Sequence, residues 1–198
     1  MDTTILTDPF IWVYNDVVPP EKCQEIIDKF ENSKEHHEAG VTESGIRLDF
    51  KNSTDMTSHH KGWEDIDSYF YELIGYLIKK YNEYLRNYKT YHRFTGAPPA
   101  YLSPDQASAN LRDTGYQIQR TDPGNGYVWH HDYQTGRLLT FILYLNTVKE
   151  GWTQFWNGDQ VEPKAGRCLI FPATWTYLHQ GFPTKQTKYI MTGWLYEN

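Results

Sequence analysis

From Gly115 onward the chain breaks into short alternating runs, each closed by a cluster of turn-forming residues. Tyr116 to Arg120 alternates and meets Asp122-Pro-Gly-Asn-Gly126. Tyr127 to Tyr133 runs into Gln134-Thr-Gly136, and Arg137 to Asn146 leads to Glu150-Gly151. Thr153 to Trp156 stops at Asn157-Gly158-Asp159, Val161 to Gly166 reverses into Arg167 to Phe171, and Lys188 to Tyr196 closes the set. Successive strand residues point to opposite faces, so a period of two between Gly, Pro, Asn and Asp predicts many short strands. Such strands must close on one another to bury an apolar face, which predicts a β-sandwich or jelly roll. Arg137 to Asn146 is apolar on both faces, so it is expected to be central.

The first half reads differently. Phe10 to Val18 alternates loosely and is predicted to be a strand. Pro19-Pro20-Glu21 opens a helix that reaches about Ser33, with Cys23, Ile26, Ile27 and Phe30 on one stripe. Ala39 to Thr57 is rich in Gly, Ser, Thr and Asp and reads as loops and edge strands. Trp63 to about Asn87 carries apolar residues three and four apart and is the longest predicted helix, with a break near Gly75. Thr90 to Asp113 is irregular and reads as a mobile lid or a long crossing loop.

The chemistry concentrates between Tyr127 and Lys188. If Trp129 to Tyr133 is extended, His130 and Asp132 point together and His131 points away, into packing or behind the ligands. His179, from a distant strand, would complete a face of two imidazoles and one carboxylate. That set, with open positions opposite, is the ligand arrangement of mononuclear non-haem Fe(II) oxygenases. Other histidines fit a metal less well. Glu35-His36-His37-Glu38 lies in a polar connection, and His59-His60 lacks a third ligand at a recognisable spacing. Lys188 sits in an otherwise apolar strand, and a buried cation must be paired.

On these residues the sequence resembles the Fe(II)/2-oxoglutarate-dependent dioxygenases, in their prolyl 4-hydroxylase-like branch. The resemblance rests on His130-x-Asp132, the distal His179, and Lys188 at the position of the basic residue that binds the 2-oxoglutarate C5 carboxylate. The lead-in Gly126-Tyr-Val-Trp-His-His-Asp132, the strand Arg137-Leu-Leu-Thr-Phe-Ile-Leu-Tyr-Leu-Asn146 and Pro163-Lys-Ala-Gly-Arg-Cys-Leu-Ile-Phe-Pro172 also match. The likeness is good over the C-terminal half and loose before it. It implies an α+β, mainly β, fold: a double-stranded β-helix (jelly roll) core with N-terminal supporting helices. One domain is expected over 1–198, with 1–113 as helical support and loops and 114–198 as the main metal-binding strands.

The same resemblance implies Fe(II), 2-oxoglutarate and O2, with ascorbate as an auxiliary candidate. It implies hydroxylation coupled to release of succinate and CO2, on a prolyl or other peptide-like substrate or on a small molecule. Thr140 and then Tyr144 are the candidates for a hydroxyl assisting the 2-oxoglutarate carboxylate. Thr121 or Gln119 stands where many relatives carry a cosubstrate-binding Tyr. Tyr127 and Trp129 are candidate substrate walls, as are Trp152, Trp156 and Trp175, and by alternation with Lys188 so is Trp194. Arg47 and Asp49 are candidates for the wall of the substrate groove. Two departures stand out: Glu150-Gly-Trp-Thr-Gln-Phe155 replaces a Gly-Gly-Glu-Thr-x-Phe common in relatives, and the aspartate that related halogenases lack is retained. The rival reading is a jelly-roll metal-binding protein or hydrolase without oxygenase activity, in which Lys188 has no role.

Composition narrows the partners. A net charge of -6 with no dense Lys/Arg run argues against nucleic acid. No apolar run approaches the roughly 18 residues of a membrane span, and no signal peptide is visible. Cys23 and Cys168 lie in unlike settings and read as buried free thiols, which suits a reducing cytoplasm. Oligomeric state leaves no mark in the sequence.

Overall fold

The computed structural model describes residues 3–42, 44–87 and 111–197. The strands are β1 (Thr3–Ile5), β2 (Trp12–Tyr14), β3 (Glu38–Ala39), β4 (Val41–Thr42), β5 (Gly45–Ile46), β6 (Thr54–Thr57) and β7 (Leu111–Thr121). They continue with β8 (Tyr127–His130), β9 (Arg137–Tyr144), β10 (Thr153–Phe155), β11 (Gln160–Val161), β12 (Cys168–Pro172), β13 (His179–Gly181) and β14 (Lys188–Glu197). Among the described residues two α-helices, α1 (Pro20–Glu31) and α2 (Glu64–Asn87), fall between β2 and β3 and between β6 and β7.

An eight-stranded antiparallel sheet runs β1-β2-β12-β9-β14-β7-β6-β3, and a four-stranded one runs β11-β10-β13-β8; β4 and β5 form a separate hairpin. Alternation sorts each large-sheet strand between two cores. On β9, Phe141 and Leu143 pack with the helices, while Ile142 and Tyr144 pack with Phe155 of β10 and Val161 of β11. On β12, Cys168 and Ile170 face the helices, and Leu169 and Phe171 face the small sheet. β9 therefore has no solvent side over most of its length, which is why its sequence is apolar on both faces. This is the jelly-roll core that the strand rhythm predicts, with helices on its outer face.

Each helix is set by its own sequence. α1 starts on Pro20, buries Cys23, Ile26, Ile27 and Phe30, and ends where the Asn32 side chain and backbone N–H both donate to the Asp28 carbonyl. α2 carries Glu64, Asp65 and Asp67 in its first turn, where carboxylates favour the helix dipole. It runs unbroken through Gly75, which faces solvent. Ile74, Leu77 and Ile78 on the buried side hold the helix there, against a glycine penalty of only about 1 kcal/mol.

Several boundaries differ from expectation. The first strand is only Trp12–Tyr14, because Asp16 takes a positive φ of 53° and turns the chain; β1, not foreseen, pairs with it. β7 begins at Leu111, not Gly115. Gly115 has φ 86°, and the His59 imidazole occupies the space a Cβ would need. The strand bends at that glycine, so its alternation is broken there. Residues 90–110 of the expected lid or crossing loop lie outside the described residues. His36 stacks on His60 with centroids 4.0 Å apart, and His37 stacks on Phe30, so these histidines make packing contacts.

A buried amide on α2 lacks compensation. Asn82 on α2 is fully buried, and among the described residues neither its amide nitrogen nor its oxygen has a partner. Each such orphan costs about 1–3 kcal/mol. Asn82→Leu, similar in shape and without polar atoms, is expected to raise the melting temperature by about 2–6 °C. Differential scanning calorimetry of the variant checks this; a lowered melting temperature contradicts it.

Candidate metal centre

β8 and β13 are antiparallel neighbours in which His130 stands directly opposite His179. Strand register therefore brings together two imidazoles that lie 49 positions apart in sequence. His130 Nε2 lies 3.8 Å from Asp132 Oδ1, and His179 Nε2 lies 3.7 Å from Asp132 Oδ2. The three potential ligand atoms fall within 4.8 Å of one another. Ligand atoms that each stand about 2.1 Å from one ion are roughly 3–4 Å apart, so the spacing fits a single metal. Among the described residues this is the only such group.

The ligands are held from behind in the form a metal needs. The Nδ1–H of His130 donates to the Val128 carbonyl at 2.8 Å, and that of His179 to the Tyr177 carbonyl at 3.0 Å. Each carbonyl lies two residues before its histidine, and each bond leaves the Nε2 lone pair free on the Asp132 side. Burial, together with the neighbouring His179, pushes the His130 pKa down to about 3, so this imidazole is neutral. Burial pushes Asp132 up, but His179, His130 and the Thr140 hydroxyl more than offset it and hold the carboxyl below its usual range.

Asp132 does not reach this position by strand pleat alone. β8 ends at His130, and Asp132 lies on the following loop. Arg137 holds that loop: its Nη1–H donates to the Asp132 carbonyl at 2.8 Å, its other nitrogens donate to Gln134 Oε1 and the Tyr196 hydroxyl, and its guanidinium lies 4.2 Å from the Trp194 ring centroid. Thr140 Oγ1–H donates to Asp132 Oδ2 at 2.8 Å. Thr140→Val should therefore weaken Mn(II) binding by about 10–100-fold, and Thr140→Ser should keep it. Isothermal titration checks this; an unchanged affinity in the valine variant contradicts it.

Lys188, Ile190, Thr192 and Trp194 of β14 line one side of a narrow cavity of about 70 Å³. His130, Asp132 and His179 line it too, as do Gln119, Thr121 and Thr153. The Lys188 ammonium is buried, donates one hydrogen bond to the Gly151 carbonyl at 3.0 Å, and meets no carboxylate among the described residues. Burial lowers its pKa from 10.5 to about 8. An ammonium has three donors, so two remain for a ligand. A buried cation without an anion, in the same cavity as a three-ligand metal set, fits a group that binds the metal and ends in a carboxylate.

The other sequence candidates fall in distinct places. Thr140 is engaged with Asp132 and does not line the cavity. The Tyr144 hydroxyl donates to Thr153 Oγ1 at 2.7 Å, and it is Thr153 that lines the cavity. Thr153 was legible as the retained Thr of the Glu150–Phe155 stretch. Tyr127 stacks on the His130 ring at 3.5 Å, so it packs on a ligand as well as lining both spaces. Trp194 also lines both.

Outside lies a wider groove of about 520 Å³. Trp129, Tyr133, Phe50 and Leu178 form its apolar wall. His131 lines it too and is exposed, not packed inside, because the loop leaves the strand after His130. Arg47 and Asp49 pair with each other at 2.7 Å and do not line it; Phe50 and Lys51 do. Trp152 packs on Phe182, while Trp156 and Trp175 are exposed, and none of the three lines either space.

Comparison with known proteins agrees with this geometry. Residues 116–196 match the model of the 2OG-Fe(II) oxygenase superfamily. No curated protein sequence matches significantly. Among solved structures, a prolyl hydroxylase from Trichoplax adhaerens, in complex with a hypoxia inducible factor oxygen degradation domain peptide fragment, superposes with a TM-score of 0.73 at 18% identity, over 95% of this chain and 84% of that one. A Pseudomonas putida prolyl-4-hydroxylase gives 0.66 at 15% identity, over 96% and 93%. A viral collagen prolyl hydroxylase from Paramecium Bursaria Chlorella virus-1, in its 2OG complex, gives 0.58 at 18% identity, over 94% and 95%. At such identities the structural likeness is one of fold. The sequence match to the 2OG-Fe(II) oxygenase superfamily model falls on the strands that carry the site, and over nearly its whole length this chain shares the fold of the prolyl hydroxylases.

Proposed function

We propose that His130, Asp132 and His179 hold Fe(II), that Lys188 binds the 2-oxoglutarate C5 carboxylate, and that a prolyl or other peptide-like residue entering by the outer groove is hydroxylated. The carrying observation is the buried Lys188 ammonium, with no anion among the described residues, set in the cavity that also holds the three ligands. A metal hydrolase has no use for it. Bound iron would supply O2 activation coupled to cosubstrate decarboxylation, with one oxygen atom entering succinate and the other the substrate hydroxyl. The chain's own part is to orient and exclude. Two imidazoles and one carboxylate leave the remaining coordination positions open. The Thr153 hydroxyl, whose oxygen accepts from Tyr144, keeps its own proton to donate into the cavity.

The outer groove favours a peptide over a small molecule. It is several times larger than the inner cavity, and exposed aromatic side chains, Trp129 and Tyr133, stand on its wall. Those exposed aromatics suit a chain lying across the surface. We place the whole chain in one catalytic domain and in a reducing compartment such as the cytoplasm, where the buried free Cys23 and Cys168 stay reduced. No helix among the described residues is long and apolar enough to cross a membrane.

The test is anaerobic addition of Fe(II) and 2-oxoglutarate, read by the visible metal-to-ligand charge-transfer band. Succinate release in air with proline-containing peptides, against free amino acids, then follows. A band, with peptide-stimulated succinate, is expected. Tight zinc retention with no band would instead support the hydrolase.

A further inference from the structure

A buried ion pair lies beside the centre, in the segment that precedes the family match. Lys51 and Asp55 are both almost fully buried, with Lys51 Nζ 2.6 Å from Asp55 Oδ2. Ser53 Oγ–H donates to the other oxygen, Oδ1, at 2.7 Å. The backbone is shaped to admit them, since a Cβ at Gly40 would collide with Ser53 Oγ and crowd Lys51 Cε. Taking both charges out of water is costly, and a well-packed apolar pair is often as stable or more so. Stability alone therefore does not account for the pair.

Its position suggests a task. Lys51 forms a bridge to Tyr127, the Val128 N–H donates to the Phe50 carbonyl at 3.0 Å, and the Lys51 ammonium lies 5.7 Å from the Tyr127 ring centroid. Tyr127 in turn stacks on His130, 3.5 Å between centroids and 13° between planes. The bond from His130 Nδ1 to Val128 fixes one edge of the imidazole but leaves the ring free to rock about that contact. A flat aromatic neighbour fixes the plane, provided that neighbour is itself fixed.

We propose that the Lys51–Asp55 ion pair is a positioning device for the metal ligand His130, acting through Tyr127, so that the segment from Lys51 to Asp55 is part of the metal centre. Asp55 locks the Lys51 ammonium, Lys51 anchors Tyr127 through backbone and cation–π contact, and Tyr127 holds the imidazole plane with Nε2 toward Asp132. The proposal rests on His130 as a ligand.

The experiment compares anaerobic Fe(II) binding, and Mn(II) binding by electron paramagnetic resonance, in the wild type, the double variant Lys51→Met/Asp55→Leu, Tyr127→Leu and the triple variant. The double variant leaves no lone buried charge. It is expected to keep its melting temperature within a few degrees while losing about 10-fold in metal affinity. Tyr127→Leu is expected to lose the same, and the triple variant no more than either, because the three residues act in series. Tyr127→Phe, which keeps the ring, should bind metal like the wild type. Unchanged metal affinity in the double variant overturns the proposal, and so do additive losses in the triple. If the double variant does not fold, Tyr127→Leu decides alone, and unchanged affinity there overturns it. A wild-type chain that binds neither metal defeats the ligand assignment instead, which separates the two failures.

Discussion

Lys188→Met should act in opposite directions on the two states of the protein. Without cosubstrate the variant should be more stable than the wild type, because it removes a buried charge that has no anion among the described residues. The sign follows from the pKa. Burial lowers it from 10.5 to about 8, so the unfolded chain holds a proton between those values that the folded chain has lost. Below about pH 8 both states are protonated and the folded protein carries the whole cost, about 3 kcal/mol for a shift of roughly 2.5 units. As pH rises from about 8 to 10.5 that cost disappears, so the wild type should gain on the variant over this window. The difference between the two melting curves, taken from pH 7 to 10, isolates the effect from other titrations. With cosubstrate the order reverses. Losing the cation that faces a buried carboxylate typically costs 2–5 kcal/mol, or about 30-fold to several thousand-fold in affinity. The 2-oxoglutarate-induced rise in melting temperature should vanish, and with it the charge-transfer band. A variant that binds 2-oxoglutarate within threefold of the wild type would remove Lys188 from the site.

Much of this arrangement was legible because it follows from period. Alternation in β9, β12 and β14 is a local property, so the two-faced burial of Phe141 and Ile142, or of Leu169 and Ile170, could be read directly. The same rule puts Lys188, Ile190, Thr192 and Trp194 on one wall. It does not reach beyond a strand's end. Asp132 lies off the ladder, and what places it is Arg137 and Thr140, five and eight residues on. Neither contact leaves a mark in the sequence that alternation could detect. His131 came out on the groove for the same reason. Boundaries were blurred where a single residue broke the local rule, as the bend at Gly115 and the positive φ at Asp16 did. The Lys51–Asp55 pair was the least legible feature. Four residues apart in a polar stretch, it reads as solvated surface, and only the packing of β6 and β8 around it makes it buried.

His179→Ala should abolish the metal centre while leaving the chain folded. The imidazole cannot be supplied by a neighbour, because Gly181, the other β13 residue at the cavity, has no side chain, and Gln180 pairs instead with Gln154 on β10. Three ligands share the binding energy, so losing one is expected to cost at least about 3 kcal/mol, or more than 100-fold in Mn(II) affinity. Stability of the metal-free protein should fall by about 2–4 kcal/mol, since the ring packs against Phe171 at 4.8 Å and Phe155 at 5.8 Å and truncation leaves a cavity there. These two losses can be told apart. Added Mn(II) should raise the melting temperature of the wild type and leave that of the variant unchanged, because a ligand stabilises only a state it binds. The cavity left by the ring opens into the one shared with Asp132 and Lys188, so millimolar imidazole should enter it and recover part of the Mn(II)-dependent shift. A variant whose melting temperature responds to Mn(II) as the wild type does would mean that the metal is held elsewhere, and Lys188 would then have to be explained without it.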